Sequence, residues 1–157
     1  MNIIIPLGGL GKRFSDFGYK LPKPLIKLFF KPIIFWLLDN LKVTNKDNVY
    51  IICNKMLKKY RFDSEIKKKY PNYHIVYLDT DTRGAAETIY LGTKNIDNNL
   101  PTILLDGDTF YRIDLLSIYR MTKNKNMIVC FKQNDDRPIY SYVGFNENKV
   151  VNKIAEK

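Results

Sequence analysis

Short apolar runs alternate along this chain with longer stretches in which apolar residues return every three or four positions. "NIIIP" (2–6), "NVYIIC" (48–53), "HIVYL" (74–78), "TILLD" (102–106) and "MIVCF" (127–131) are rich in Ile and Val and bounded by polar or turn residues. Runs of this kind predict buried strands. The stretches between them read as helices. "IIFWLLDNL" (33–41) is apolar nearly all round, as a buried helix is. Over 55–70 the pairs Met56/Tyr60 and Ile66/Tyr70 recur at helical spacing, Lys58, Lys59, Lys67, Lys68 and Lys69 face solvent, and Pro71 ends the segment. Gly84 opens a third helix to about Lys94, and Asp114 caps a short one to about Met121. "YSYVGF" and "KVVNKIAEK" flank Asn146-Glu147-Asn148, which predicts a hairpin.

Alternation of strand and helix argues for an α/β fold, with a mostly parallel sheet between helices and an antiparallel addition near the end. No linker, repeat or low-complexity tract interrupts the 157 residues, so one domain over 1–157 is expected. A chain of that size buries roughly 70% of its unfolded surface. Ligands of such sheets bind beyond the carboxyl ends of the strands. The glycine-rich segment after 2–6, the segment 80–84 and Asp106-Gly107-Asp108 all follow strands and would share that edge.

Composition narrows the function. Hydrophobic residues at 45% and charged residues at 27% fit an ordinary soluble chain. No apolar run approaches the ~18 residues of a membrane span, and the first residues lack the basic start of a signal peptide. A cytoplasmic protein without a membrane partner is expected. Cys53 and Cys130 lie in apolar runs and read as buried free thiols. His74 is the only histidine, which disfavours histidine metal clusters and Ser-His-Asp chemistry. The net charge of +10 raises nucleic-acid binding. The surplus is mostly Lys, scattered or on one helix face, in a chain also rich in Asn, Ile, Tyr and Phe, all with A/T-rich codons. Aromatic and basic residues are not interleaved as in nucleic-acid modules, so nucleic acid is not expected as a partner. A positive field serves a polyphosphate equally well.

The sharpest signal is "IIIPLGGLGKRF" (3–14), with three glycines in four residues and then Lys12 and Arg13. Glycines after a strand bring backbone N–H groups close to a partner, and the cations mark that partner as an anion. A dinucleotide fingerprint starting at Gly9 fails at Phe14, and a P-loop ending at Gly11-Lys12 fails at Pro6 and Arg13. A third pattern fits. "GGLGKRF" followed by "LPKPL" (21–25) resembles the N-terminal signature of the sugar-nucleotidyltransferase family. "TRGAAETI" resembles that family's second nucleotide loop, "LLDGDTFY" its strand-then-metal motif, and "VVNKIAEK" the segment leading to its Glu-Lys pair. The stretches "GYKLPKPL" and "GAAET" look closest to capsule and surface-polysaccharide enzymes.

The resemblance implies a Rossmann-like three-layer sandwich of the nucleotide-diphospho-sugar transferase type. It also implies Mg²⁺-dependent transfer from a nucleoside triphosphate to a phosphorylated acceptor, usually a sugar 1-phosphate, with release of pyrophosphate. This chemistry needs no covalent catalyst. The protein must hold two polyanions in line and neutralise the charge that develops. By resemblance, Leu7, Gly8, Gly9, Gly11, Lys12, Arg13, Thr82, Gly84 and Asp106 bind the nucleotide, Arg83 lines the same pocket, and Arg13 holds the departing pyrophosphate. Lys23, fixed between Pro22 and Pro24, bridges the α-phosphate and the acceptor. Asp108 binds Mg²⁺, and Glu156 and Lys157 contact the acceptor. Asp79 and Asp81 cap or solvate. Lys12 departs from the Thr or Ser usual in the family.

In relatives the chain beyond the Glu-Lys pair completes the acceptor pocket and adds a second acidic metal ligand. Here Asp135 and Asp136 fall in a polar turn and Glu147 in a hairpin tip. These residues are therefore expected to form the nucleotide-binding part, completed by further chain or by a second copy in a homo-oligomer. Two rivals stand beside this reading. Asp106-Gly107-Asp108 also fits the Asp-x-Asp motif of nucleotide-sugar-dependent glycosyltransferases, which do not require the glycine loop or the Pro-Lys-Pro. A non-catalytic nucleotide-binding domain would keep the loops without turnover. The base and the acceptor, whether a sugar 1-phosphate, phosphocholine or another phosphorylated compound, stay open.

Overall fold

The structure is a computed structural model that describes residues 1–9, 11–97, 99–122, 126–134 and 137–156, the side chain of Lys12 excepted. Two compact units divide it, Met1–Asn124 and Lys125–Lys157. In chain order the first contains β1 (Asn2–Leu7), α1 (Lys12–Asp16), β2 (Lys27–Leu28), β3 (Lys31–Pro32), α2 (Ile33–Asn40) and β4 (Asn48–Asn54). After these come α3 (Phe62–Lys69), β5 (His74–Leu78), α4 (Ala85–Gly92), β6 (Thr102–Leu104) and α5 (Leu115–Met121).

Four of these strands pair in parallel in the order β5-β4-β1-β6. Ile3 lies opposite Val49 and Ile103, and Ile5 opposite Ile51. Successive side chains of a strand point to opposite faces, and the core follows that rule. Ile3, Ile5, Val49, Ile51, Cys53, Ile103 and Leu105 pack with Ile34, Leu37 and Leu38 of α2, Phe62 and Ile66 of α3, and Leu115 and Leu116 of α5. On the other face Ile4, Ile52 and Leu78 pack with Ile89 and Leu91 of α4. Helices thus cover both faces, in the three-layer arrangement that the strand–helix alternation predicts.

Local departures have physical causes. The helix expected over 55–70 is two pieces, a 3-10 turn over Lys55–Tyr60 and then α3, separated by Arg61 in the left-handed region at φ 55°. Leu57 and Ile66 are both buried, and in one continuous α-helix that separation puts them about half a turn out of phase. The break at Arg61 lets both enter the core. Lys58, Lys59, Lys67, Lys68 and Lys69 are exposed, as expected. Asp114 caps α5 as expected, its carboxylate accepting from the Ser117 N–H at 3.0 Å. The sequence pattern does not signal the β2–β3 hairpin, whose tip is Phe29-Phe30 with φ of 48° and 66°.

In the second unit β7 (Tyr142–Phe145) and β8 (Val151–Ala155) form the expected antiparallel hairpin. Asn146 organises its turn, its Oδ1 accepting from the N–H groups of Asn148 at 3.1 Å and Val150 at 3.0 Å. Residues 127–131, expected as a strand, are not in any sheet among the described residues, and Cys130 is exposed rather than buried. An apolar run becomes a strand only where a neighbour offers N–H and C=O groups in register, and the run itself carries no such information. Among the described residues no helix is long and apolar enough to cross a membrane.

Candidate functional site

The loop leaving β1 sits at the carboxyl edge of the parallel sheet. Gly8 is buried, and a Cβ there would stand 2.1 Å from Thr88 Oγ1 and 2.7 Å from Thr82 Oγ1. The room left by Gly8 is therefore filled by two threonines. Their hydroxyls lie 2.7 Å apart, and Thr88 Oγ1 donates to the Gly84 carbonyl at 3.0 Å. This contact ties the glycine loop to the 82–88 segment at the start of α4. Gly9, by contrast, is exposed, with nothing within 4 Å of where its Cβ would stand. That part of the loop can meet a ligand.

Gly11 lies in the left-handed region at φ 65° and precedes α1, which carries the exposed Arg13. A Cβ at Gly11 would stand 3.4 Å from Lys23 Cβ, so the glycine loop and the Pro-Lys-Pro segment are direct neighbours. Lys23 opens a short 3-10 turn, with Pro22 before it and buried Pro24 after it. The Leu25 N–H donates to the Pro22 carbonyl at 2.8 Å. Pro22 and Pro24 each fix φ, so the backbone under Lys23 has little freedom. The Lys23 ammonium donates to the Asp108 carboxylate and lies 5.5 Å from the centre of the Phe14 ring.

Beyond β6 buried and exposed positions still alternate as far as the turn at Gly107-Asp108. Leu105 and Gly107 are buried, Leu7 lies over Gly107, and Asp106 and Asp108 face outward. Beside them Asp108, Thr109 and Phe110 join Leu28, Ile33 and Trp36 around a cavity of about 290 Å³. Its walls are almost wholly apolar, and the Trp36 Nε1–H donates to the Leu28 carbonyl at 3.0 Å.

The remaining polar residues of this edge are paired. Arg83 donates its backbone N–H to Glu87 at 2.7 Å, and its guanidinium pairs with the same carboxylate at 3.0 Å. The Arg83 side chain beside it, with that N–H, holds the Glu87 carboxyl below the usual range. Asn54 at the end of β4 donates to Asp81 at 2.7 Å, and Lys55 pairs with Asp79 at 3.5 Å. Both aspartates thus pair with side chains at and just after the end of β4, and neither caps α4. Within the second unit, Glu156 accepts from the Ser141 hydroxyl at 2.9 Å. Leu10, Asp135, Asp136 and Lys157 lie outside the described residues.

The structure therefore gathers Gly8, Thr82 and Gly84 into one cluster, and Gly11, Lys23 and Asp108 into another. Sequence reasoning misses Thr88, although its place four residues after Gly84, one helical turn on, was a usable signal. It also misses Phe14 under Lys23 and the apolar wall beside Asp108, for which no motif exists. Among the described residues no group of three or more His, Cys, Asp or Glu could hold a metal. One or two outward carboxylates suit Mg²⁺, which takes its other ligands from water and substrate phosphates, and do not suit an all-protein zinc or calcium cage.

Residues 2–157 match the nucleotidyl transferase family. The chain belongs to that family. A D-glycero-alpha-D-manno-heptose 1-phosphate guanylyltransferase of Campylobacter jejuni is 28% identical over 160 residues, covering 100% of this chain and 69% of that protein. A protein of the same description from Aneurinibacillus thermoaerophilus is 28% identical over 122 residues, covering 76% of this chain and 51% of that protein. The crystal structure of HddC from Yersinia pseudotuberculosis complexed with GMP-PN superposes with a TM-score of 0.74 at 23% identity, covering 99% of this chain and 69% of that chain. That likeness establishes the fold, which is the nucleotide-diphospho-sugar transferase type. The reaction class of the family is nucleotidyl transfer.

Proposed function

We propose that this chain acts in the transfer of a nucleotidyl group from a nucleoside triphosphate to a sugar 1-phosphate, releasing pyrophosphate, as a step in NDP-sugar supply for polysaccharide or glycan synthesis. The observation that carries this reading is the juxtaposition of Gly11, Lys23 and Asp108 at the carboxyl edge of the sheet. Two relatives described as heptose 1-phosphate guanylyltransferases support it and make GTP and a heptose 1-phosphate the first pair to try.

In this reading the exposed backbone at Gly9 and the side chain of Arg13 face the triphosphate. A guanidinium fork suits two oxygens of the departing pyrophosphate. An acceptor phosphate oxygen attacks the α-phosphorus as the bond to pyrophosphate breaks, and the proline-fixed Lys23 offsets charge between the two phosphates. Asp108 would hold Mg²⁺, which when bound supplies charge neutralisation at the phosphates. Triphosphate binding is assigned to residues 1–124. Turnover needs acceptor contacts in addition, among them Glu156 and Lys157, so binding and turnover are measured separately.

The test is pyrophosphate release with Mg²⁺, from GTP and the other common triphosphates against a panel of phosphorylated acceptors, alongside calorimetric triphosphate binding. Lys23→Ala is expected to cut turnover about 10²–10³-fold, the size of one preorganised charge contact, while triphosphate affinity changes only a few-fold. Arg13→Ala is expected to weaken the triphosphate itself. Release of a nucleoside diphosphate from a finished NDP-sugar, without pyrophosphate from a triphosphate, would favour the glycosyltransferase reading. Triphosphate binding without turnover on any acceptor would favour a binding domain.

A further inference from the structure

The contact between Lys23 and Asp108 does more than place two site residues near each other. It matches the charge of the proposed metal ligand with a cation from the chain itself. Both side chains are partly exposed, at 31% and 40%, and an exposed pair of this kind contributes little to folding. As a structural brace it is weak. As an exchangeable contact it is well placed, because the two ends differ in mobility. The backbone of Lys23 is held by Pro22, by buried Pro24 and by the neighbouring Gly11. Its ammonium, by contrast, sits at the end of a flexible four-carbon stem, with Phe14 as a second resting contact. The ammonium can therefore leave Asp108 by side-chain rotation alone.

Resting on the proposed function above, we propose that Lys23 is the resident counter-ion of Asp108 and keeps the carboxylate from taking a divalent ion alone. A lone divalent ion gains a single carboxylate here and must displace the ammonium and bear its repulsion. A metal–triphosphate complex brings phosphate oxygens that give the ammonium a new partner, so metal and nucleotide enter together while Lys23 swings from carboxylate to phosphate. Lys23 thus acts twice, first guarding the metal ligand and then neutralising phosphate charge.

The test uses Mn²⁺ as the probe on the full chain without nucleotide, with the free ion followed by electron paramagnetic resonance. Removing an opposite charge within hydrogen-bond range changes the affinity of a carboxylate for a cation by about tenfold or more. Lys23→Met and Lys23→Gln are therefore expected to bind Mn²⁺ alone about tenfold more tightly than the parent. Lys23→Arg, which keeps the cation, should match the parent, and Lys23→Met combined with Asp108→Asn should lose the gain. Variants without the ammonium that bind Mn²⁺ no more tightly than the parent would overturn the inference. Mn²⁺ binding in the presence of each of the four triphosphates in turn separates the two levels. If Asp108→Asn weakens it there while Lys23→Met is neutral without nucleotide, only the counter-ion role falls. If Asp108→Asn changes nothing in either condition, the metal assignment falls and the counter-ion role with it.

Discussion

Phe62 and Ile66 in residues 1–124 are 0% exposed, whereas Phe131, Phe145 and Ile154 in residues 125–157 are 69%, 61% and 65% exposed. Both units hold apolar residues in comparable style, one cysteine and one hairpin, yet they treat them differently. In the first unit each crossover between parallel strands returns a helix to a face of the sheet, so alternate side chains are buried on both sides. In the second, β7 and β8 pair with each other, and a two-stranded hairpin has too little area to bury its faces by itself. Its order rests on local polar contacts, such as the Asn146 turn and the Tyr142 hydroxyl donating to Gln133 at 2.5 Å. The proposed triphosphate contacts therefore rest on a scaffold with a core of its own, and Glu156 on a unit with no fully buried side chain among the described residues.

The two cysteines give the largest expected contrast. Burial pushes the Cys53 thiol up to about 12, while Cys130 is exposed. The thiolate is the reactive form, and Cys53 must also wait for the first unit to open. Openings of a folded core populate about 10⁻³ or less of the molecules. Labelling at pH 8, read by peptide mass spectrometry, should modify Cys130 at least about 10³-fold faster than Cys53. Comparable rates would show that the first unit opens as readily as the second and would end the distinction.

A second probe concerns what stiffens the first unit away from the site. The Asp39 carboxylate of α2 accepts from the ammonium groups of Lys31 at 3.0 Å and Lys69 at 2.5 Å and from the Tyr70 hydroxyl, linking β3, α2 and the end of α3. Burial would raise the Asp39 pKa, but those donors outweigh it and hold the group down at about 2. A carboxyl depressed on folding contributes stability that is fully present above its unfolded value near ~4 and is lost as pH falls through the folded value. With partial solvent screening the contribution is about 1–2 kcal/mol. Asp39→Asn should therefore lower stability by that amount at pH 7, and the gap to the parent should close as pH falls from 4 to 2. A gap that stays constant over that range would place the loss in packing rather than in charge.

The same division marks what the chain discloses before folding. The strands of the parallel sheet were legible because each is a continuous apolar run, and the glycine loop, Lys23 and Asp108 were legible because ordered motifs announce them. Residues 127–131 carry an equally apolar run and form no strand, since pairing depends on a partner that the run does not name. The break at Arg61 was hidden for a related reason. Helical spacing reads 55–70 as one segment, but the phase between Leu57 and Ile66 matters only once one core must receive both. At the site, Thr88 escaped because the space it fills exists only after Gly8 has been placed against it.

The smallest expected effect compares the two hairpins. The β7–β8 turn is polar, with Asn146 accepting from its own backbone and Lys149 alone at positive φ, 58°. The β2–β3 turn has Phe29 and Phe30 both at positive φ, and Phe30 is 96% exposed. Two consecutive left-handed residues make the tight turn that matches strand twist, and it favours Asn-Gly. A bulky residue there costs about 1–2 kcal/mol against its preferred conformation, and burial of Phe30 returns almost nothing. Phe30→Gly removes that cost but makes the unfolded chain more flexible, which takes back about 0.5–1 kcal/mol. A net gain of about 0.5–1 kcal/mol is expected in chemical denaturation. Phe30→Ala separates strain from exposure. It removes the exposed ring while keeping a Cβ at φ 66°, so it should gain nothing. If Ala stabilises as much as Gly, the exposed ring and not the backbone is the defect, and this turn is then no more strained than the polar one.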